Sequence, residues 1–336
     1  MQANALFQNR PPLWLYYENP YHQWRRPEYF NLCLETVQRH CGRSFRVIPL
    51  TRDDIYKYLP DLRKDVWVKC TAAQRMDLIR WELLSRYGGL CLDPDVLVAG
   101  DLRPYMEQLT RHDFVAFGCG TSEGDARDPA ACPLATAVYT AGTGVTSTRP
   151  AVWAMASRPQ GTLANYVRSR CHWLLDNDER QVADVPELLG KVVLWQSLNE
   201  LTAGEHASVT LDGAGVGQEP WSYVHVGAEC GYADKSGHPY TMPRLLRNER
   251  LDPGCFAPMR LVPLHAQSQR ACDYPLWFIE ASREQLLGNP NTLVGKLWRW
   301  SLLDETPFPA QEEARAFQTT PSVTMPRYYA SSSWTS

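Results

Sequence analysis

The sequence lacks any run of roughly 18 consecutive apolar residues, the length that a membrane-spanning helix requires, so no membrane span is expected. The first residues, Met1–Leu6, have neither the positive charge nor the apolar run of a signal peptide, and a cytoplasmic location is therefore expected. None of the 10 cysteines forms a C-x-x-C pair and no Cys/His cluster has zinc spacing, which indicates reduced core thiols. No basic stripe is interleaved with aromatic residues, so nucleic-acid binding is not expected either.

What is present is the composition of an ordinary globular protein. The 336 residues are enough for one large domain or two modest ones, and 44% are hydrophobic and 21% charged. The formal net charge is −3, but residues 1–90 hold 14 Lys and Arg against 9 Asp and Glu. A basic first part could attract a phosphorylated ligand, although random scatter of charge explains the same bias.

Apolar and amphipathic segments alternate with short connections in the first part of the chain, a pattern typical of an α/β layer with a parallel sheet. The strands expected there are 13–17, 45–50, 90–92 and 114–117, and the helices are 27–41, a short one capped by Thr51, and 71–87. The later part is expected to hold helices at 149–156, 163–175 and 185–201, strands at 209–211 and 223–226, and a loop at 118–133. Residues from Asp304 onward are rich in Pro, Ser, Thr and Gln, which is typical of a disordered or draped tail.

The clearest helix is Thr71–Tyr87, in which the apolar residues fall near one face. Thr71 can cap its start, and Gly88-Gly89 can end it. Glu82 and Arg86 are four residues apart, so an ion pair on the exposed side of the helix is expected.

Asp77 and Arg80 lie three residues apart on the same helix and therefore share a face. A helix packed on the sheet could present both at the margin of a ligand site, where Arg80 would pair with a phosphate or with Asp77. The alternative is an ordinary ion pair on the protein surface.

Asp93-Pro94-Asp95 follows the apolar strand Leu90–Leu92 directly. Alternation along a strand would point both carboxylates to the same side, whereas Pro94 indicates that the chain leaves the sheet there. Two carboxylates at the carboxyl end of a strand suit Mg²⁺ or Mn²⁺, and that edge is where ligands bind in doubly wound sheets. A simple turn is the alternative, since Asp-Pro-Asp is also common turn chemistry.

The run from Ala72 to Asp95 resembles the glycosyltransferase sugar-binding region that contains a D-x-D motif. The pattern of that family is roughly A-x-x-S-D-x-x-R-x-x-x-L-x-x-x-G-G-x-Y-x-D-x-D, and its members include yeast-type initiating mannosyltransferases, clostridial glucosylating toxins, and viral and capsular sugar transferases. In this chain Met76 replaces the small Ser and Cys91 replaces the aromatic residue. The matching residues are Asp77, Arg80, Leu84, Gly88, Gly89, Asp93 and Asp95.

The resemblance implies an α/β fold of the GT-A type, with a Rossmann-like, mostly parallel sheet flanked by helices and a less regular C-terminal part. It implies a GT-A domain over residues 1–303, with a nucleotide-sugar donor half at 1–129 and an acceptor half at 130–303. Residues 304–336 would then be a lid or a disordered tail. The implied enzyme is a hexosyltransferase that uses Mn²⁺ or Mg²⁺, takes a UDP- or GDP-sugar and retains the anomeric configuration. Its acceptor would be a carbohydrate or glycoconjugate, and its oligomeric state stays open.

Roles for individual residues follow from the same resemblance. Asp95 would bind the metal on the donor diphosphate, and Asp93 would contact the ribose or sugar and help with the metal. Asp77 and Arg80 would hold the donor sugar and its phosphates, so Asp77, Arg80 and Asp93 are the expected catalytic residues. Tyr16 is the first-strand aromatic expected to stack on the base of the donor, with core packing as the alternative.

A third metal ligand is expected from the later part of the chain, as in other GT-A enzymes. His265 is the candidate for this position and His225 is the alternative, although a lone histidine is more often structural. The tail segment Ser332-Ser333-Trp334 resembles the terminal S-W that closes over the donor in some family members. Where the family has an Asn-containing strand, this chain has Thr143–Thr146, so acceptor recognition is not legible from the sequence.

Two other function classes compete with glycosyl transfer. A metal-dependent phosphohydrolase of the haloacid dehalogenase type also carries a D-x-D after an apolar strand, with the first Asp as the nucleophile, but that motif usually lies on the first strand. An inactive binding module on a GT-A scaffold is the second alternative, and Asp95 pointing away from any cleft would favour it.

Overall fold

The computed structural model describes residues 10–18, 26–118, 137–140, 149–203, 222–226, 242–247, 260–264, 275–289 and 291–303. The predicted strand at 209–211, most of the predicted loop at 118–133, and the tail from Asp304 lie outside these residues. Within the described residues, no helix has both the length and the apolar character needed to cross a membrane.

The first part of the chain alternates strands and helices, as its apolar pattern predicts. Its strands are β1 (Pro12–Tyr16), β2 (Arg46–Leu50), β3 (Gly89–Leu92), β4 (Val96–Val98) and β5 (Phe114–Phe117). Its helices are α1 (Glu28–Cys41), α2 (Ile55–Tyr58), α3 (Val66–Lys69), α4 (Ala72–Tyr87) and α5 (Arg103–Gln108).

The later part adds four strands, a π-helical turn and seven helices to the described structure. The strands are β6 (Ala137–Thr140), β7 (Ala151–Ser157), β8 (Ser222–Val226) and β9 (Leu261–Pro263). The helices are α6 (Thr162–Asn177), α7 (Glu179–Asp184), α8 (Val193–Ala203), α9 (Met242–Leu245), α10 (Leu276–Glu280), α11 (Arg283–Leu287) and α12 (Leu293–Leu303). The π-helical turn, Leu188–Val192, lies between α7 and α8.

Seven strands form the main sheet in the order β2-β1-β3-β7-β5-β8-β6. The pairs β1–β2, β1–β3 and β5–β8 are parallel, and β7 and β6 run antiparallel to their neighbours, so five of the seven strands share one direction. Buried residues on both faces join the sheet to helices, with α4, α6 and α8 on one face and α1 and α5 on the other. This arrangement confirms the predicted α/β fold class, a mostly parallel sheet flanked by helices.

The order of the strands also locates a switch point. From β1 the chain passes to β2 on one side, and the next strand of the main sheet, β3, pairs on the other side of β1. In open α/β sheets the crevice beyond the carboxyl ends of strands at such a point is where ligands bind. The carboxyl ends of β1 and β3, which lead into Tyr17-Glu18 and Asp93, therefore border the expected site.

The prediction of a helix at 149–156 is wrong, because residues 151–156 belong to the strand β7. β7 lies between β3 and β5 and is antiparallel to both. Six of its seven residues are buried, so the polar alternation that marks a half-exposed strand is absent. Its Ala, Trp and Met residues are compatible with either a strand or a helix. The segment forms a strand because it pairs with the neighbouring strands β3 and β5.

Three smaller predictions also need correction. Thr51 is not a helix cap: its hydroxyl donates to the Asp54 carboxylate at 2.8 Å, and α2 begins only at Ile55. The helix predicted at 185–201 does not begin at residue 185: the π-helical turn begins at Leu188 and leads into α8. Glu82 is not on an exposed side, because only 1% of its side chain is accessible. The groups that contact Glu82 are Arg86, Arg168 and His172.

A two-stranded ribbon joins the turn after β3 to the later part of the chain. β4 pairs antiparallel with β9, and the amide of Leu264 donates to the carbonyl oxygen of Asp95 at 3.2 Å. The outer side of α1 packs with the ribbon and with α10, α11 and α12 in a separate apolar cluster. The ribbon is not evident in the sequence, since β4 and β9 have three residues each.

Candidate functional site

Helix α4 is held at both ends, and this fixes the position of its polar residues. Thr71 and Gln74 form a reciprocal capping box, in which the Thr71 hydroxyl accepts from the Gln74 amide at 3.3 Å and the Gln74 side chain accepts from the Thr71 amide at 2.9 Å. Gly88 ends the helix with φ +61°, a conformation that other residues rarely adopt. The predicted cap and stop of this helix are therefore confirmed.

Arg80 joins the two carboxylates that the sequence singles out on either side of Gly88. Its Nη1 donates to Asp77 Oδ1 at 2.7 Å, and its Nη2 donates to Asp93 Oδ1. The exposed fractions of the three side chains are 7% for Arg80, 13% for Asp77 and 15% for Asp93. The pair of Asp77 and Arg80 is thus not an ordinary surface ion pair, because it is largely buried and connects the helix to the end of β3.

Burial and charge act against each other in this cluster. Burial raises the pKa of Asp77 to about 7, against the lowering effect of the Arg80 guanidinium. Burial lowers the pKa of Arg80, but the adjacent Asp93 and Asp77 carboxylates raise it above its ordinary value. Arg80 is therefore a permanent cation between two carboxylates, an arrangement suited to a ligand that carries both hydroxyl and phosphate groups.

Asp93-Pro94-Asp95 forms a turn between β3 and β4. The amide of Val96 donates to the carbonyl oxygen of Asp93 at 3.2 Å, and the amide of Asp93 donates to the carbonyl oxygen of Trp153 at 2.7 Å. The chain leaves the sheet here, as Pro94 predicts, so strand alternation does not apply.

The two carboxylates of the turn have different neighbours. Asp93 contacts Arg80 on the side of α4. Asp95 is buried, with 9% exposure, and lies close enough to Cys33 of α1 to add to the effect of burial, which raises the pKa of that thiol.

Tyr16 lies beside this cluster but is not exposed. It is 6% accessible and lines a small pocket together with Arg80, Met76 and Leu92. Its hydroxyl donates to Glu18 Oε2 at 3.2 Å, and burial followed by the charge of Glu18 raises its pKa. Its predicted role in stacking on a nucleotide base stays a prediction.

The other two aromatic residues of this segment, Trp14 and Tyr17, have different surroundings from Tyr16. Trp14 is a core residue, 1% exposed, whose indole nitrogen donates to the carbonyl oxygen of Gly88 at 2.9 Å. Tyr17 faces the other side of β1, where the Arg26 guanidinium lies 4.8 Å from its ring centroid. Tyr17, Arg26 and Pro94 line a second small pocket on that side.

A cluster of arginine and aromatic side chains at the ends of β1 and β2 is not identified by the sequence pattern. Arg75 pairs with Glu18, donating to Oε2 at 3.0 Å and also to Oε1. The ring centroid of Trp67 lies 5.4 Å from the Arg75 guanidinium carbon and 4.3 Å from that of Arg52. Arg52 is exposed, and no carboxylate of the described residues forms an ion pair with it. The one feature of the sequence that points to this cluster is the excess of basic residues before residue 90.

The described residues do not by themselves make up a metal centre. Among them there is no group of three or more His, Cys, Asp and Glu side chains that could hold an ion. His265 and the tail Ser332–Trp334 lie outside the described residues, as does the side chain of His225. The residue just before His265 is Leu264, which bonds to the backbone of Asp95.

Comparison with known proteins matches the part of the chain that carries these residues. A family model described as "Capsular polysaccharide synthesis protein" matches residues 6–150, a range that includes Tyr16, Arg80 and the turn after β3. Among solved structures, a PaToxG glycosyltransferase is 12% identical with a TM-score of 0.33, and the match covers 56% of this chain and 68% of that chain. No curated protein matches the chain.

Proposed function

We propose that this protein is a glycosyltransferase that moves a sugar from a nucleotide-sugar donor to a hydroxyl group of a carbohydrate or glycoconjugate. The observation that carries the proposal is a pair of largely buried ion pairs that share Arg80, one with Asp77 and one with Asp93. They lie at the carboxyl end of β3, beside the switch point of the sheet. The match of residues 6–150 to a family described by capsular polysaccharide synthesis supports the same chemistry.

In this proposal each residue of the site has its own role in binding the donor. Asp77 and Arg80 hold the hydroxyl groups and phosphates of the donor, since a carboxylate accepts and a guanidinium donates hydrogen bonds. Asp93 contacts the ribose or the sugar while its other contact, with Arg80, keeps it in place. Tyr16 lines the same pocket as Arg80, and we assign it to the base of the donor.

A divalent cation, Mn²⁺ or Mg²⁺, is part of the proposal. Asp95 would be its main protein ligand, Asp93 would assist, and His265 is proposed as a third ligand because its neighbour Leu264 bonds to Asp95. When bound, such an ion would neutralise the diphosphate that leaves as the glycosidic bond breaks. Arg80 would donate hydrogen bonds to the same leaving group, independently of any metal.

Arg52, in the cluster at the ends of β1 and β2, adds an exposed positive charge to the proposed site. Arg52 presents an exposed guanidinium whose plane is supported by the Trp67 ring, while Arg75 is neutralised by Glu18. A guanidinium held in this way loses little side-chain entropy when it binds a phosphate. We assign Arg52 to the nucleotide part of the donor.

A direct test uses purified protein and a panel of UDP- and GDP-sugars, each assayed with Mn²⁺, with Mg²⁺ and with EDTA. The proposal predicts that one donor binds and is slowly hydrolysed only when the metal is present, and that the anomer first released retains the configuration of the donor. Absence of metal-dependent binding across the whole panel would contradict the transferase function. Inversion of the anomer would contradict only the retaining mechanism.

One observation favours the second candidate, an inactive binding module on the same scaffold. Asp95 is buried, lies close enough to Cys33 to affect the pKa of that thiol, and is not among the residues that line the pocket of Arg80. A protein that binds a nucleotide sugar without ever hydrolysing or transferring it would support this candidate. No contact of the described residues favours a phosphohydrolase, because Asp93 is paired with Arg80 and follows the third strand in chain order.

A further inference from the structure

The π-helical turn Leu188–Val192 packs against the helix that carries Asp77 and Arg80. In this turn the amide of Val192 reaches back five residues to the carbonyl oxygen of Glu187, at 3.3 Å. Gly190 has φ −102° and ψ −107°, which is not helical and allows the backbone to bulge.

The bulge brings the backbone of Gly190 directly against the carboxyl group of Asp77. A methyl group built on Gly190 would lie 2.2 Å from Asp77 Oδ2 and 2.7 Å from its Cγ. Neither separation is tolerable between non-bonded atoms, so only glycine fits while Asp77 keeps its place. The other carboxylate oxygen, Oδ1, accepts from Arg80.

The turn also brings charge close to Asp77. Glu187 lies near enough to add to the effect of burial in raising the pKa of Asp77. Lys191 is largely buried, at 8% exposure, and forms an ion pair with Glu187. The carboxyl group of Asp77 is thus confined by Arg80 on one side and by the turn on another.

We infer that Gly190 is a positioning residue for the donor site: its missing side chain lets the turn hold the Asp77 carboxylate in the orientation that pairs with Arg80. Through Arg80 the same contact sets the position of Asp93, so a segment beyond the matched range 6–150 shapes the donor site. The consequence for donor binding rests on the proposed function, whereas the contact itself can be tested without it.

The substitution Gly190→Ala tests both the contact with Asp77 and its consequence for donor binding. The added methyl group should displace the Asp77 carboxylate and lower Tm by about 5 °C, since overpacking a tight contact is destabilising. It should also raise the KM for the nucleotide sugar by roughly tenfold with a smaller change in kcat, because a displaced Asp77 binds the donor less well. Gly100→Ala is the matched control, because a methyl group there meets only the flexible Arg260 side chain at 3.4 Å.

A double-mutant cycle with Asp77→Ala separates this contact from general strain in the turn. Asp77→Ala removes the atoms that the new methyl group would meet, so Gly190→Ala should change Tm little in that background. If Gly190→Ala alone does not fold, recovery of folded protein in the double variant supports the inference, and failure of both contradicts it.

Two further outcomes would overturn the inference. Equal loss of Tm with and without the Asp77 side chain would mean that the turn itself, and not its contact with Asp77, requires glycine. A Gly190→Ala enzyme with an unchanged donor KM would show that Asp77 is not positioned by this contact. If the unmodified protein binds no nucleotide sugar, the proposed function fails, and the stability cycle alone decides whether Gly190 positions Asp77.

Discussion

Arg80 and Asp93 form a largely buried ion pair that ties helix α4 to the end of strand β3. They are 13 residues apart, and the helix end, Gly88 and the strand lie between them. Because Arg80 also binds Asp77, a single cation fixes the orientation of two carboxylates. The geometry of the proposed donor site therefore depends on this one guanidinium.

Replacing the guanidinium should destabilise the whole domain. Arg80→Met leaves Asp77 and Asp93 without their shared cation in a largely buried position, and loss of one partner from such a cluster costs about 3–5 kcal/mol. Urea denaturation should show this loss in the free energy of unfolding. Arg103→Ala, which breaks the exposed pair with Glu107, should cost less than about 0.5 kcal/mol. Similar small losses for both variants would be inconsistent with a structural role for Arg80.

The buried carboxylate of Glu82 predicts a pH-dependent contribution to stability. Burial raises its pKa, but the His172 hydrogen bond and the charges of Arg168 and Arg86 outweigh burial and hold the pKa below the ordinary value of 4.5. The stabilisation is therefore present above that value and is lost as the pH falls through the folded-state pKa.

Glu82→Gln should lower the free energy of unfolding by about 2 kcal/mol at pH 7, and the difference from the unmodified protein should shrink towards pH 3. Denaturant titrations at the two pH values measure this. An equal difference at both would show that the charge of Glu82 does not stabilise the contact between α4 and α6.

Arg52 provides a separate test of where the nucleotide binds. Arg52→Ala should weaken binding of the nucleoside diphosphate by roughly tenfold, because a charge-assisted hydrogen bond is worth about 1.5–3 kcal/mol. Isothermal titration calorimetry at a saturating concentration of Mn²⁺, the same for every variant, measures this difference. Arg46→Ala is the matched control, since Arg46 is also exposed but lies at the start of β2 instead of beyond its end. If both variants bind equally well, Arg52 is not part of the nucleotide site.

The sequence predicts the first part of the fold well because each element there carries its own signals. The capping box at Thr71 and the glycine stop at Gly88 are local features, and the structure has both. The strand β7 could not be recognised in the same way, since burial on both faces removes the alternation that marks a strand. Its place between β3 and β5 is a long-range property of the chain.

In the candidate site, too, the residues could be predicted from local sequence, whereas their contacts with distant segments could not. Asp77, Arg80 and Asp93 could be named from their spacing, and the structure joins them. The different neighbours of Asp93 and Asp95 depend on the turn and on the pairing of β4 with β9. The contact of Gly190 with Asp77 spans more than a hundred residues, and nothing in the sequence near either residue predicts it.

The most direct test of the proposed function is metal-dependent hydrolysis of the preferred nucleotide sugar by the Asp95→Asn variant. Asn is nearly the same size as Asp but lacks the charge, so the fold should be kept, as judged by an unchanged Tm. Asp176→Asn, which alters a carboxylate that is 59% exposed, serves as the control. The proposed function predicts a loss of activity of roughly 100-fold or more in Asp95→Asn and none in Asp176→Asn. Full metal-dependent activity in a folded Asp95→Asn variant would contradict it.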